Sequence, residues 1–187
     1  MQKIISLFQR NYEGDRLVRD EVVPGAEWVI AGEGIATVKL DGTACLVRDG
    51  LLYKRYDAKH GKQPPANFVA AQEPDPNTGH WPGWIPVDFS RPENKWHEEA
   101  FGGDPLGVPF ADGTYELCGP KVQGNPEGYG YHVLVRHGAI PCPFSPRGFE
   151  SLREWFKGKD IEGIVWHHPD GRMVKIKKKD FGLNRKD

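Results

Sequence analysis

A chain of 187 residues, 38% hydrophobic and 27% charged with a formal net charge of −1, has the make-up of an ordinary folded protein. It is long enough to bury roughly 70% of its unfolded surface in one domain or a small two-lobed one. That balance excludes a disordered or fibrous chain. No run approaches eighteen apolar residues, and the N-terminal M-Q-K-I-I-S-L-F has too short an apolar core for a signal peptide, so no membrane role is expected. The three cysteines, Cys45, Cys118 and Cys142, are odd in number and lack C-x-x-C spacing. They point to neither a disulfide framework nor a zinc site, and fit a reducing, cytoplasmic setting.

From Glu27 to Tyr56 the pattern predicts a strand meander: W-V-I-A, I-A-T-V-K-L, T-A-C-L-V-R and L-L-Y-K-R-Y, with hairpin signals at Asp41-Gly42 and Asp49-Gly50. Lys39 then stands at the tail of an apolar run beside a tight turn. A cationic amine at the lip of a strand is a good start for chemistry on phosphate. Residues 60–113 hold nine of the sixteen prolines and three of the six tryptophans. Long aperiodic loops in compact domains are usually functional, and the aromatics argue for order, so this segment is expected to be an ordered, proline-stiffened excursion in which Trp81 and Trp84 anchor the loop.

Two strands follow, in G-T-Y-E-L-C-G and Y-H-V-L-V-R-H-G. A helix is predicted over 146–157, capped by Ser145, with Pro146 in its first turn, Phe149, Leu152 and Phe156 on one face, and Gly158 at its end. Finally I-E-G-I-V-W and R-M-V-K-I-K flank H-H-P-D-G as a hairpin. Alternation puts Glu162, Ile164 and Trp166 on one face, and Met173, Lys175 and Lys177 on one face. Basic residues crowd the last sixteen positions, from Arg172 to Lys186, forming a basic edge. No internal repeats appear. The expected fold class is α+β, mostly antiparallel β-sheets with few helices, in a single domain over 1–187.

Five segments stand out when taken in order: K-L-D-G (39–42), Y-K-R (53–55), Y-E-L-C-G-P-K-V-Q-G-N (115–125), E-G-I-V (162–165) and K-I-K (175–177). The set resembles the ordered motifs of the covalent nucleotidyltransferases, the ATP-dependent DNA and RNA ligases and the mRNA capping enzymes, over about residues 28–183. More narrowly, G-H-W-P-G-W-I-P-V, G-N-P-E-G, H-V-L-V-R-H-G-A and D-I-E-G-I-V-W-H are similar to the single-domain 5′-3′ RNA ligase family, which includes a vertebrate member. The resemblance implies an adenylyltransferase domain of the ATP-grasp-like ligase type. It implies ATP as substrate, Mg²⁺ or Mn²⁺ as metal, and RNA with 5′-phosphate and 3′-hydroxyl ends as partner, in a role such as RNA repair. No obligatory protein partner is implied.

By the same resemblance Lys39 attacks the α-phosphorus of ATP, AMP passes to the RNA 5′-phosphate, and a 3′-hydroxyl displaces AMP. An amine suits the first step because its phosphorus adduct stays reactive. Its ordinary pKa of about 10.4 is too high for attack, and partial burial with Lys175 and Lys177 nearby is expected to lower it. Those two lysines are expected to hold phosphate, and Glu162 to offer a hard oxygen to the metal. Glu116 is implied for the AMP ribose or a second metal, Arg55 for phosphate, and Val38, Leu40 and Gly42 for the nucleotide's surroundings. The adenine-facing position falls on Leu134 or His132. Gln123, Lys178 and Lys179 are candidates for RNA contact, although Gln123 beside Gly124-Asn125 is also a natural turn former.

His167-His168 reads as a hairpin-loop pair rather than a metal site, since adjacent strand residues point to opposite faces. A DNA ligase or capping enzyme would share these motifs but carries a separate OB-fold module after the last lysine motif. Ten residues follow Lys177, so no OB-fold is expected. A non-catalytic nucleotide- or RNA-binding module is the remaining alternative.

Overall fold

The computed structural model describes residues 3–59, 61–76, 78–103 and 107–187; His60, Asn77 and residues 104–106, all within the expected excursion, lie outside the described residues. In chain order the strands are β1 (Ile5–Ser6), β2 (Phe8–Arg10), β3 (Val18–Val22), β4 (Ile35–Lys39), β5 (Thr43–Arg48), β6 (Leu51–Ala58), β7 (Val69–Ala70), β8 (Trp81–Pro86), β9 (Gly113–Cys118), β10 (Val133–Arg136), β11 (Gly163–His167) and β12 (Met173–Lys177). The helices are α1 (Glu27–Ile30), α2 (Lys95–Gly102) and α3 (Phe149–Phe156). Mostly antiparallel sheets with few helices are thus observed; among the described strands only the β1–β12 pair is parallel.

The chain divides into two compact units: residues 1–3 with 41–137, and residues 4–40 with 138–187. The second unit holds a four-stranded sheet, in the order β1-β12-β11-β4, and the small β2-β3 pair. Alternation gives its sheet an apolar face. Ile164 and Trp166 of β11, Val174 and Ile176 of β12, and Leu152 and Phe156 of α3 are at most 1% exposed and form one cluster. Fully burying each large aliphatic or aromatic side chain favours folding by about 1.5–3 kcal/mol, so this face fixes the register of the strands that carry the opposite one. Phe8, Phe149 and Phe181 close the cluster edge to face.

The first unit is built on a six-stranded sheet, β10-β9-β5-β6-β8-β7. Its core gathers Cys45, Val47, Leu52, Tyr115, Leu117 and Leu134, with Ala100 of α2. The described parts of the excursion are ordered: β8 pairs with β6, Trp84 is 2% exposed, and Trp81 Nε1 donates to the Gln72 carbonyl at 2.8 Å. Both tryptophans anchor, as their setting among prolines predicts.

Three local expectations need correction. W-V-I-A is not a strand but the single turn α1, because four apolar residues are too few for periodicity to decide. Gly25 (φ 89°) precedes it and Gly32 (φ 93°) follows. The Arg147 guanidinium donates to the carbonyls of Val29, Glu33 and Gly34 and so ties down the segment that runs from α1 to β4. Asp41-Gly42 does not make a hairpin. Asp49-Gly50 does, with both residues left-handed (φ 52° and 72°) between paired Arg48 and Leu51. By contrast β4 and β5 lie in different sheets. Finally, α3 starts at Phe149 with Gly148 at its N-cap, so Ser145 does not cap it and Pro146 lies outside. Pro146 disfavours a helical Ser145, and Phe144 before it is left-handed (φ 65°). The shared face of Phe149, Leu152 and Phe156 and the end at Gly158 (φ 69°) are as expected.

The basic edge also separates into unlike parts. Lys178 is 1% exposed, and its ammonium donates to the carbonyls of Lys159, Arg185 and Asp187, each at 2.8 Å. Its three N–H donors are consumed, so it cannot grip an RNA backbone. Arg185 pairs with Asp160 at 2.6 Å, while Lys179 and Lys186 are exposed. No described helix is long and apolar enough to cross a membrane. Replacing Lys178 with Met strips three interior carbonyls of a charged donor. Chemical denaturation should show a loss of about 3 kcal/mol or more, whereas Lys179→Met should change stability by less than about 0.5 kcal/mol.

Candidate active site

Lys39, the last residue of β4, lies directly across from Gly163 of β11, which lies directly across from Lys177 of β12. One step along, Thr37, Val165 and Lys175 are aligned in the same way. Residues opposite one another on neighbouring strands share a face. The core claims Ile164, Trp166, Val174 and Ile176, so the three lysines stand together on the other side of the sheet.

Glu162 is where alternation fails. It stands in a bend before β11 begins and does not share the face of Ile164 and Trp166. Instead its carboxylate turns to the lysine face, with Oε2 2.5 Å from Lys39 Nζ and Oε1 2.5 Å from Lys177 Nζ. Period-two alternation holds only inside a paired strand. A Cβ at Gly163 would lie 2.2 Å from the Ile176 carbonyl oxygen, so only glycine lets β11 start this close to β12. The Glu162 carbonyl also accepts from the Lys178 amide at 2.9 Å. The carboxylate is thereby held at both its backbone and its oxygens.

Burial pushes the Glu162 carboxyl up, but the Lys39 charge and hydrogen bonds from Lys177 and Lys39 outweigh it and hold the group below the usual range. It therefore stays ionised at neutral pH. Lys175 is pushed down to about 8, first by burial and then by the charges of Lys177 and Lys39.

Behind the lysines, Thr37 Oγ1 lies 3.3 Å from the Val165 carbonyl and 2.9 Å from His167 Nε2. His168 instead meets Glu33 and Asp170, both at 2.8 Å. The two histidines go to different partners, as the hairpin reading expects. Among the described residues no group of three His, Cys, Asp or Glu could hold a metal ion. Glu162 supplies a single hard oxygen donor group, too few for an all-protein metal cage. Val38 donates its amide to the Ile140 carbonyl and packs on the core, and Leu40 is 8% exposed.

The remaining candidates belong to the other unit. Glu116, on β9, accepts from the Gly42 amide at 3.0 Å and lies 2.7 Å from His137 Nε2. Arg55 Nε lies 3.2 Å from Asp57, and its guanidinium sits over Trp84. Leu134 is part of the core, on the buried side of β10, and in this arrangement is closed to an adenine ring. His132 precedes β10, and Trp96 covers one face of its ring, 4.4 Å away at 20°. The Lys121 amide donates to its Nε2 at 3.3 Å. Gln123 is exposed and left-handed (φ 49°) in the loop after β9, in keeping with a turn former.

Thr37, His137 and Glu127 are interacting groups to which the sequence reading assigned no role, although His137 and Glu127 lie inside the H-V-L-V-R-H-G-A and G-N-P-E-G segments. Thr37 was reachable through period two from Lys39. The others depend on long-range pairing, which a single sequence does not report.

A family model described as RNA ligase 1 matches residues 105–187. RNA ligase 1 of Danio rerio is 31% identical, aligned over 79% of this chain and 67% of that protein. The RNA ligase 1 proteins of Pongo abelii and Rattus norvegicus are each 30% identical over 80% of this chain and 67% of their own. With this coverage, and with the E-G-I-V and K-I-K segments inside the matched region, the chain belongs to the RNA ligase 1 family.

Proposed function

We propose that this protein is an ATP-dependent RNA ligase that joins 5′-phosphate and 3′-hydroxyl RNA ends, with Lys39 as nucleophile, on an adenylyltransferase domain of the kind that DNA ligases and capping enzymes share. The observation that carries the reading is the Lys39–Glu162–Lys177 bridge, beside Lys175, on one face of the β4-β11-β12 sheet.

Lys39 Nζ forms a bond to the α-phosphorus of ATP while the bond to the β-phosphate oxygen breaks and pyrophosphate leaves. An RNA 5′-phosphate oxygen then takes the AMP group as the phosphorus–nitrogen bond breaks and the amine is released. Attack by a 3′-hydroxyl on the activated 5′-phosphate expels AMP and forms the phosphodiester. Little covalent work is left to the protein beyond placement and charge neutralisation. Glu162, kept ionised by its neighbours, orients the Lys39 amine and sets the spacing of Lys177. Lys175 and Lys177 neutralise the triphosphate and the departing pyrophosphate. Mg²⁺ or Mn²⁺ held with the phosphates at Glu162 would add charge neutralisation. Glu116 is assigned to the ribose or a second metal, Arg55 to phosphate, and Gln123 and exposed Lys179 to the RNA strand. The parallel possibility of a DNA ligase differs only in the strand accepted.

Protein incubated with Mg²⁺ and α-labelled ATP should acquire a covalent, acid-labile AMP label that is absent in Lys39→Ala. A 5′-phosphorylated, 3′-hydroxyl RNA should then give adenylylated RNA and joined product. Preferential sealing of nicked duplex DNA would overturn the RNA assignment. Glu162→Ala and Lys177→Ala should slow labelling by about 100-fold or more, equivalent to about 2.7 kcal/mol of barrier.

The lowered Lys175 value gives a pH test. Below pH 8 its ammonium is charged and can hold phosphate; above it the charge is lost. The ratio kcat/KM for ATP reports groups of the free enzyme. Relative to Lys175→Arg, whose charge persists, wild-type kcat/KM should fall about tenfold per pH unit above about 8. Parallel profiles from pH 7 to 9.5 would remove Lys175 from the phosphate site.

A further inference from the structure

The lysine proposed as nucleophile sits two residues before a turn whose two successive amides both meet carboxylates. The Asp41 amide donates to Glu127 Oε1 at 2.8 Å, and the next amide, that of Gly42, donates to Glu116 Oε1 at 3.0 Å. In the Asp49-Gly50 pair one amide, that of Asp49, also donates to a distant carboxylate, Asp112 Oδ1 at 3.0 Å, but there the paired flanking strands set the turn's geometry. Here successive backbone donors are taken by carboxylates 86 and 74 residues away. The turn is also pressed onto β9, where a Cβ on Gly42 would lie 2.2 Å from the Leu117 carbonyl oxygen. An amide in so close a place needs a partner, and a bond to a charged acceptor is among the stronger that it can find.

The loop that offers Glu127 is itself closely built. Gln123, Gly124, Asn125 and Gly128 are all left-handed (φ 49°, 76°, 56° and 71°). The amides of Asn125 and Gly128 bond back to Val122 and Asn125, and Asn125 Nδ2 holds the Tyr129 carbonyl at 3.0 Å. Holding non-glycine residues in left-handed conformations is costly and persists where the surroundings demand it. Glu127 is half-buried at the end of this frame.

We infer that Glu127 is a positioning residue for the Lys39 amine, acting through the Asp41 backbone on which its carboxylate closes. This deepens the proposed reaction and rests on Lys39 as its nucleophile. Misplacement of a reacting atom by about 1 Å can cost roughly 100-fold in rate, and the chain from Lys39 to the first clamped amide is only two residues long. Glu127 acts as a hydrogen-bond acceptor rather than as a charge on substrate or metal.

Glutamine separates those roles, since it keeps the acceptor oxygen and loses the charge. Single-turnover labelling of the full chain with α-labelled ATP should give Glu127→Ala a maximal rate 10- to 100-fold below wild type, at an unchanged half-saturating ATP concentration. Glu127→Gln should stay within threefold. Hydrogen exchange resolved to the Asp41 amide should speed up at least tenfold in Glu127→Ala and remain protected in Glu127→Gln. A wild-type labelling rate in the alanine variant, a glutamine variant as slow as the alanine one, or unchanged Asp41 protection in Glu127→Ala would each overturn the inference. If the wild type takes no label, the lysine-nucleophile reading fails while the exchange comparison still judges Glu127.

Discussion

A carboxylate shared by two lysines governs the charged face of the β4-β11-β12 sheet. Three lysines brought together on one side of a sheet repel one another, and each gives up water to be there. Glu162 makes the cluster tenable by meeting Lys39 and Lys177 with separate oxygens at 2.5 Å. Interactions between charges strengthen as water is excluded, so a half-buried bridge of this kind counts for more than a surface pair. It also comes with directional bonds, which a loose excess of charge would lack.

The apolar side of the same sheet is what makes that face possible. Ile164, Trp166, Val174 and Ile176 are sealed under α3, and a slip of one residue in register would swap them with the lysines. The placement of the lysine cluster and the packing of the core are therefore two faces of one constraint. Gly163 joins them, since its missing side chain permits the close strand approach that brings Glu162 round to the charged side.

Strands β4 to β6 and β9 to β12 and the lysine positions were legible from short-range pattern, with apolar alternation marking β4, β9, β11 and β12 and Asp49-Gly50 marking its hairpin, whereas β1, β2, β3, β7 and β8 were not expected. What escaped was set by distant partners. W-V-I-A reads equally well as strand or helix, and Arg147, far along the chain, pins the segment that follows the helical turn. Asp41-Gly42 has the composition of a hairpin but spends its amides on Glu127 and Glu116. Glu162 obeys no alternation because it lies outside the ladder. Leu134 was placed by motif spacing, whereas the buried side of β10 assigned it to the core. Of the candidate residues, Lys39, Glu162, Lys175 and Lys177 are brought together in one unit; Glu116 and Arg55 belong to the other.

The tract Lys175 to Lys179 shows how little a run of like residues says about shared purpose. Two of its four lysines stand on the sheet face with Lys39, one is an internal strut that gathers three backbone oxygens, and one lies in solvent. Wholesale charge reversal across such a tract, a common way of asking whether a protein touches nucleic acid, would here dismantle the scaffold along with any grip on RNA. The strut at position 178 thus makes loss of affinity after block mutagenesis uninterpretable, and only residue-by-residue replacement can separate folding from recognition.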